Sequence, residues 1–246
     1  MQLRWWMLVF ALGANAAAAQ ALVVSAASSL TNAFRDIGKA FEAAHPGTTV
    51  AFNFASSDIL ATQIAKGAPA DVFASADQEA MNRVEEANAI VVSTRRDFAA
   101  NALVLVVPSA AALPTALSDL RSDRFRRIAI GSAQTVPAGR YAKEALDGAQ
   151  LSTALAPRLV FAQNVRQVLD YVAREEADAG FVYATDAAIM PGKVKVAFDV
   201  ATTTPVRYPI AVVKDSKHAD LAAAFVAYVA SETGQRVLRQ YGFRAP

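Results

Sequence analysis

Four positions place a small or hydroxyl residue where an extended segment turns into a helix: Ser29, Ser57, Ala138 in Val136-Pro137-Ala138-Gly139, and Val165 after Gln163-Asn164. The first turn of a helix has backbone N–H groups without intrahelical acceptors and a partial positive charge. It can therefore bind an oxyanion without help from lysine or arginine. Taken alone, each serine is explained by N-capping, for which serine is among the preferred residues. Their convergence carries more weight, because ligands of α/β sheets bind beyond the carboxyl ends of the strands, where such turns collect.

Other chemistries lack their parts. There is no cysteine, which removes disulfides, thiolate metal sites and cysteine nucleophiles together. His45 ends a helix beside Pro46 and His218 lies in a polar turn, so both are expected to be solvated and neither has the neighbours of a metal ligand or catalytic base. Asp71, Asp77, Asp178 and Asp186 read as strand-end and capping carboxylates in preference to a metal cluster, and Arg174 with Asp178 as a surface pair. A secreted hydrolase using Ser29 or Ser57 would need a base held by a third group and a nucleophile elbow, and the sequence offers neither.

The elements that must position these residues follow from periodicity. Leu22 to Ser25 is β-like, and Leu30, Ala33, Phe34, Ile37, Phe41 and Ala44 mark one face of a helix stopped by His45-Pro46-Gly47. Thr49 to Phe54 alternates as a strand, Ser56-Ser57 opens a helix ending at Gly67, Asp71 to Ser75 is a strand and Gln78 to Ala87 a helix. This β-α order predicts a parallel sheet covered by helices. A second series begins with the apolar strand Leu103 to Val107 and runs through Ile128 to Gly131, a helix near Ala138 to Leu146, Leu159 to Phe161, a helix from Val165 to Glu175 and Gly180 to Tyr183. Val206 to Val213 reads as a strand broken by Pro209, followed by closing helices at Leu221 to Tyr228 and Gly234 to Gln240. Two series imply two lobes, residues 21–102 with 206–246 and residues 103–205. With no Pro/Gly-rich linker in the sequence, strands should join them and allow a hinge.

The 246 residues are 54% hydrophobic and 19% charged, a globular composition. Residues 1–20 read as a secretory signal: Arg4, an apolar run from Trp5 to Leu12, and small residues Ala16 to Ala19, with cleavage near Ala19 or Gln20. No later segment is long and apolar enough to span a bilayer, so a periplasmic protein is expected. Without Arg4 the chain carries 23 basic and 22 acidic side chains, so no global field recruits nucleic acid or anionic lipid. An anion must be held by local geometry.

Several stretches carry a family resemblance: Ala26-Ala27-Ser28-Ser29-Leu30-Thr31-Asn32-Ala33, Phe54-Ala55-Ser56-Ser57, Gln63-Ile64, Gly67-Ala68-Pro69-Ala70-Asp71-Val72-Phe73, Val136-Pro137-Ala138-Gly139, Tyr141-Ala142-Lys143-Glu144-Ala145-Leu146, Val165-Arg166, Gly180-Phe181-Val182-Tyr183 and Tyr241-Gly242-Phe243. In this order they resemble the periplasmic molybdate-binding proteins of bacterial ABC importers. The resemblance implies an α/β, two-lobed periplasmic-binding-protein fold (type II-like), with mixed sheets flanked by helices and a ligand cleft between lobes. It implies a monomer without cofactor or enzymatic activity that binds molybdate or tungstate and passes it to an inner-membrane ABC permease. It places the oxyanion ligands, and molybdenum or tungsten only as the oxyanion, at Ser29, Ser57, Ala138, Val165 and Tyr183. Taken alone, Tyr183 would be a core tyrosine at a strand end. Sulfate or phosphate in the same fold is the alternative.

Asp58 departs from this pattern. The family often has a small polar residue after the second serine, and a carboxylate there would compete with a dianion for the helix dipole. An outward-facing Asp58 that only favours its own helix is the expected arrangement.

Overall fold

The computed structural model describes residues 20–246; the leader reading, Gln20 apart, lies outside the described residues. Ten strands form two five-stranded sheets. The first contains β1 (Gln20–Ala27), β2 (Thr48–Ala55), β3 (Val72–Ala74), β4 (Arg96–Asn101) and, from the far end of the chain, β10 (Val206–Val212), in the order β2-β1-β3-β10-β4. The second contains β5 (Leu103–Pro108), β6 (Ile128–Gly131), β7 (Leu159–Ala162), β8 (Ala179–Tyr183) and β9 (Val194–Val200), in the order β7-β6-β8-β5-β9. The chain crosses between sheets twice, through Ala102 and through residues 201–205.

Both sheets are mixed, where the β-α order alone predicts a parallel one. In the first, β1 is parallel to β2 and β3, but β10 returns from the second lobe antiparallel to β3 and β4. In the second, β6 is parallel to β7 and β8, while β5 runs antiparallel to β8 and β9. The crossing segments impose these reversals. Pro209 does not break β10. The register with β4 shifts between Tyr208 and Pro209, an irregularity that accommodates the missing N–H, and the Pro209 carbonyl accepts from Ser75 N at 2.9 Å.

Helices cover the sheets. In α1 (Thr31–Ala44) the buried residues are Ala33, Phe34, Ile37, Gly38 and Phe41; the spacing predicts this face except for Gly38, and Ala44, which it also names, is exposed at the helix end. Phe34 and Phe41 meet Phe225 of α8 (Ala219–Ala230), with Phe41 and Phe225 edge to face at 5.2 Å. Each such side chain contributes about 1.5–3 kcal/mol on burial. The remaining helices are α2 (Ser57–Ala65), α3 (Gln78–Glu86), α4 (Pro137–Gly148), α5 (Ser152–Leu155), α6 (Val165–Ala173), α7 (Ala184–Ala188) and α9 (Glu232–Gln240).

Two local expectations are corrected. His45 is half-buried, stacked on Phe41 at 4.0 Å with Nδ1 3.0 Å from the Phe41 carbonyl oxygen, because the chain reversal folds the ring back over its own helix. Asp178 does not pair with Arg174; it accepts from the backbone N–H groups of Arg126 and Arg127 at 2.7 and 2.8 Å, fixing the entry to β6.

The start of α4 sits directly on the end of β6. A Cβ on Gly139 would lie 2.1 Å from the Gly131 carbonyl oxygen, so glycine alone permits this approach. Gly139→Ala is expected to lower the unfolding free energy by about 1–3 kcal/mol through overpacking, measured as a lower urea midpoint. An unchanged midpoint would show that α4 moves freely on the sheet.

Candidate functional site

All five residues singled out in the sequence line one small cavity between the two sheets, and all five are buried. Ser29 lies in the single helical turn Ser28–Leu30 that follows β1, and Ser57 opens α2 after β2. From the second lobe, Ala138 is the second residue of α4, Val165 the first of α6 and Tyr183 the last of β8. First-turn amides of α2, α4 and α6 have no intrahelical acceptor, so three helix starts meet in the cavity wall. Ser28, Ser56, Ala76, Ala27, Val136 and Pro137 complete the lining, which includes no charged side chain. The cavity has a volume of about 10 Å³.

The hydroxyls are oriented by backbone and tyrosine partners. Ser57 Oγ accepts from Ala76 N at 3.0 Å, and Tyr183 Oη donates to the Ala76 carbonyl at 3.4 Å. Ser29 Oγ and Tyr208 Oη are 3.1 Å apart, and Asn101 Nδ2 donates to Tyr208 Oη at 3.3 Å. Burial pushes the Tyr183 and Tyr208 phenols well above their ordinary values, so both keep their protons and can donate. Ser56 caps α2 without a side-chain capping bond, and its buried Oγ has no partner among the described residues.

Charge stands just outside this neutral wall. Asp58 is not outward-facing: it is 2% exposed and contributes no surface to the cavity. Its Oδ2 accepts from Arg140 Nη2 at 2.8 Å, and Arg83 Nη1 lies 2.9 Å from Oδ1 as an ion pair outside hydrogen-bond geometry. The helix-dipole expectation fails because a guanidinium from the other lobe draws the carboxylate inward. Arg140 also reaches Asp77 Oδ2 from Nη2 at 2.5 Å and from Nε at 3.1 Å. Asp77 does cap α3, accepting from Ala80 N at 3.0 Å. Burial pushes the Asp77 carboxyl up, with Arg140 opposing, while Asp77 and Asp58 outweigh burial and hold the Arg140 guanidinium protonated.

On the opposite flank Arg166 donates from Nε to Asp186 at 2.6 Å, from Nη1 to Asn32 Oδ1 at 2.7 Å and from Nη2 to the Ser29 carbonyl at 3.0 Å. Asp186, raised by burial against the pull of Arg166, accepts from Tyr183 N at 3.2 Å. Arg166 thus ties together the chain around Val165, Ser29 and Tyr183.

Larger hollows of about 360–460 Å³ lie elsewhere. In the one beside Asp71 and His218 the carboxylate is already taken by Val23 N at 2.7 Å and the Ser216 hydroxyl at 2.6 Å. Among the described residues no group of three or more His, Asp or Glu could hold a metal ion. Sequence reasoning missed Ser28, Ser56 and Ala76 in the wall and Tyr208, Arg140 and Arg166 behind it. Ser28, Ser56 and Arg166 stood inside the motifs that carry the resemblance, whereas the partners of Arg140 and Tyr208 are distant in sequence.

The chain's similarities agree with this geometry. The profile of the bacterial extracellular solute-binding protein family matches residues 22–244. The molybdate-binding protein ModA of Escherichia coli K12 is 39% identical over 243 residues, covering 96% of this chain and 94% of that protein. The putative ABC transporter substrate-binding lipoprotein YvgL of Bacillus subtilis 168 is 37% identical over 227 residues, covering 91% and 86%. The solved substrate-binding domain of a putative molybdenum ABC transporter from Clostridium difficile is 36% identical and superimposes with a TM-score of 0.70, covering 92% and 99%. The chain belongs to the bacterial extracellular solute-binding proteins, and within them to the periplasmic molybdate-binding proteins of ABC importers, which bind solutes and are not enzymes.

Proposed function

We propose that this protein binds molybdate or tungstate in the cavity formed by Ser29, Ser57, Ala138, Val165 and Tyr183 and delivers it, as a periplasmic monomer, to an inner-membrane permease. The observation that carries this reading is the convergence of three helix starts and three oriented hydroxyls, from both lobes, on a cavity with no charged lining. A dianion held there is neutralised by partial charges alone. Six or seven hydrogen bonds to a charged ligand give on the order of 10–20 kcal/mol gross. Association and ordering remove roughly 4–15 kcal/mol of that. Micromolar binding, about 8 kcal/mol, therefore requires nearly all donors at once. Since the donors come from two lobes and are buried, the ion enters with the lobes apart and is gripped as they meet.

The backbone amides can only donate, which favours a fully deprotonated oxyanion over one carrying a proton, leaving the three hydroxyls as the groups able to accept. Among such ions size is the expected discriminator, because Mo–O and W–O bonds are longer than S–O bonds. The neutral wall also gives a hydrolytic reading nothing to work with, since among the described residues no carboxylate or imidazole hydrogen-bonds the hydroxyl of Ser29 or Ser57. Ser29 instead faces the Tyr208 phenol, and Ser57 accepts from an amide.

Titration calorimetry should find molybdate and tungstate bound with similar affinity and sulfate and phosphate at least about 100-fold more weakly, a difference near 2.7 kcal/mol. Equal affinity for sulfate would move the assignment to another oxyanion. Ser29→Ala, Ser57→Ala and Tyr183→Phe should each weaken molybdate binding by about 10- to 100-fold, the loss of one hydrogen bond to a charged group. Ester hydrolysis that disappears in Ser29→Ala with affinity intact would favour an enzyme instead.

Tyr208→Phe removes the hydroxyl that orients Ser29 Oγ and also accepts from Asn101 Nδ2. It should weaken molybdate binding several-fold and lower the unfolding free energy by about 1–3 kcal/mol. Wild-type affinity in this variant would mean that the ligand alone sets the serine rotamer.

A further inference from the structure

One buried charge cluster is not absorbed by the oxyanion site. Arg140 stands on the second lobe, two residues past Ala138, while Asp58 and Asp77 stand on the first, each one residue past a cavity-lining position, Ser57 and Ala76. The Arg140 side chain is 13% exposed and the two carboxylates 2% and 5%. Glu79 Oε2 lies a further 3.1 Å from Arg140 Nε. Within its own lobe Arg140 has the Ala133 carbonyl, at 3.2 Å. Every carboxylate it meets here belongs to the first lobe.

Parting the lobes therefore changes the charge balance beside the cavity. Asp58 keeps Arg83 at 2.9 Å, and Asp77 keeps Ala80 N and, at 3.4 Å, the Ser75 hydroxyl, but both lose the guanidinium they share. Two buried carboxylates next to the donors of Ser57 then repel an incoming or departing dianion. Arg166, on the other flank, differs in kind. Its carboxylate partner Asp186 lies in its own lobe and stays with it when the lobes separate.

We propose that Arg140 is a positioning residue that couples lobe closure to ligand retention, its guanidinium cancelling Asp58 and Asp77 only when the lobes are together. The proposal rests on the oxyanion reading of the cavity. Arg140 contributes no surface to that cavity, so it acts through closure and not by touching the ion. The cluster must break before the anion leaves but need not form before it arrives, so the effect falls on dissociation.

The test follows radiolabelled molybdate chased from the full chain by excess unlabelled ion, with association measured separately. Arg140→Gln should release molybdate at least about ten-fold faster with association changed less than about three-fold. Arg140→Lys, which keeps the charge but not the fork, should fall between Arg140→Gln and wild type. Adding Asp58→Asn and Asp77→Asn to Arg140→Gln should slow release again, because the uncompensated carboxylates are gone; a purely structural defect would not be rescued. Circular dichroism checks folding, and if Arg140→Gln does not fold, Arg140→Lys with and without the two Asn substitutions gives the same comparison. Release from Arg140→Gln within about two-fold of wild type, or no rescue by the Asn substitutions, overturns the proposal. Failure of the wild type to bind molybdate overturns the oxyanion reading itself, and is seen before any variant is compared.

Discussion

The side-chain amide of Asn101 is the point on which the two lobes depend. It ends β4, one residue before the chain crosses, and is buried. Its Nδ2 donates to Thr185 Oγ1 of the second lobe at 2.9 Å and to Tyr208 Oη of the first at 3.3 Å, while its Oδ1 accepts from Ala102 N at 2.9 Å. The next link, Tyr208 to Ser29, runs into the cavity. Leaving any of these buried groups unpartnered costs about 1–3 kcal/mol, so the network persists as a unit. The crossing is consequently a fixed pivot, since sliding the lobes past one another would break the network.

A fixed pivot gives meaning to the division between neutral wall and charged flanks. If a guanidinium lined the cavity, any anion of suitable charge would be attracted, and discrimination by size would be weak. On the proposed oxyanion reading, attraction is left to helix starts and hydroxyls, whose reach is short and whose directions are set by Ala76, Tyr208 and the β6–α4 contact at Gly139. The strong charges sit one or two residues further along the same helices, where they act between lobes. Arg166 shows the arrangement well. It follows a cavity-lining valine, yet its donors go to Asp186, Asn32 and the Ser29 carbonyl.

The sequence shows the local half of this design. Apolar spacing located α1 and its buried face, and strand-to-helix turns located Ser29, Ser57, Ala138 and Val165, because each signal lies within a few residues. Family motifs added Tyr183, which periodicity alone would leave in the core. What stayed hidden is set by chain crossings. The antiparallel placement of β10 depends on where the chain returns from the second lobe, not on the pattern within Val206–Val212. The Tyr208 hydroxyl likewise finds Ser29 from 179 positions away.

Asp58 is the instructive failure. At the first turn of α2 a carboxylate satisfies its own helix dipole, and that local reading turns it towards solvent. Its actual partner, Arg140, is 82 positions away on the opposite lobe, and pairing with it buries the carboxylate beside Ser57. On the proposed oxyanion reading, a charge that would oppose a dianion with the lobes apart is compensated by Arg140 where they meet. Sequence reasoning weighs a residue in one environment. Under the proposed closure, in which the lobes swing about Asn101, the same residue has two, and the energy difference between them is what closure can use.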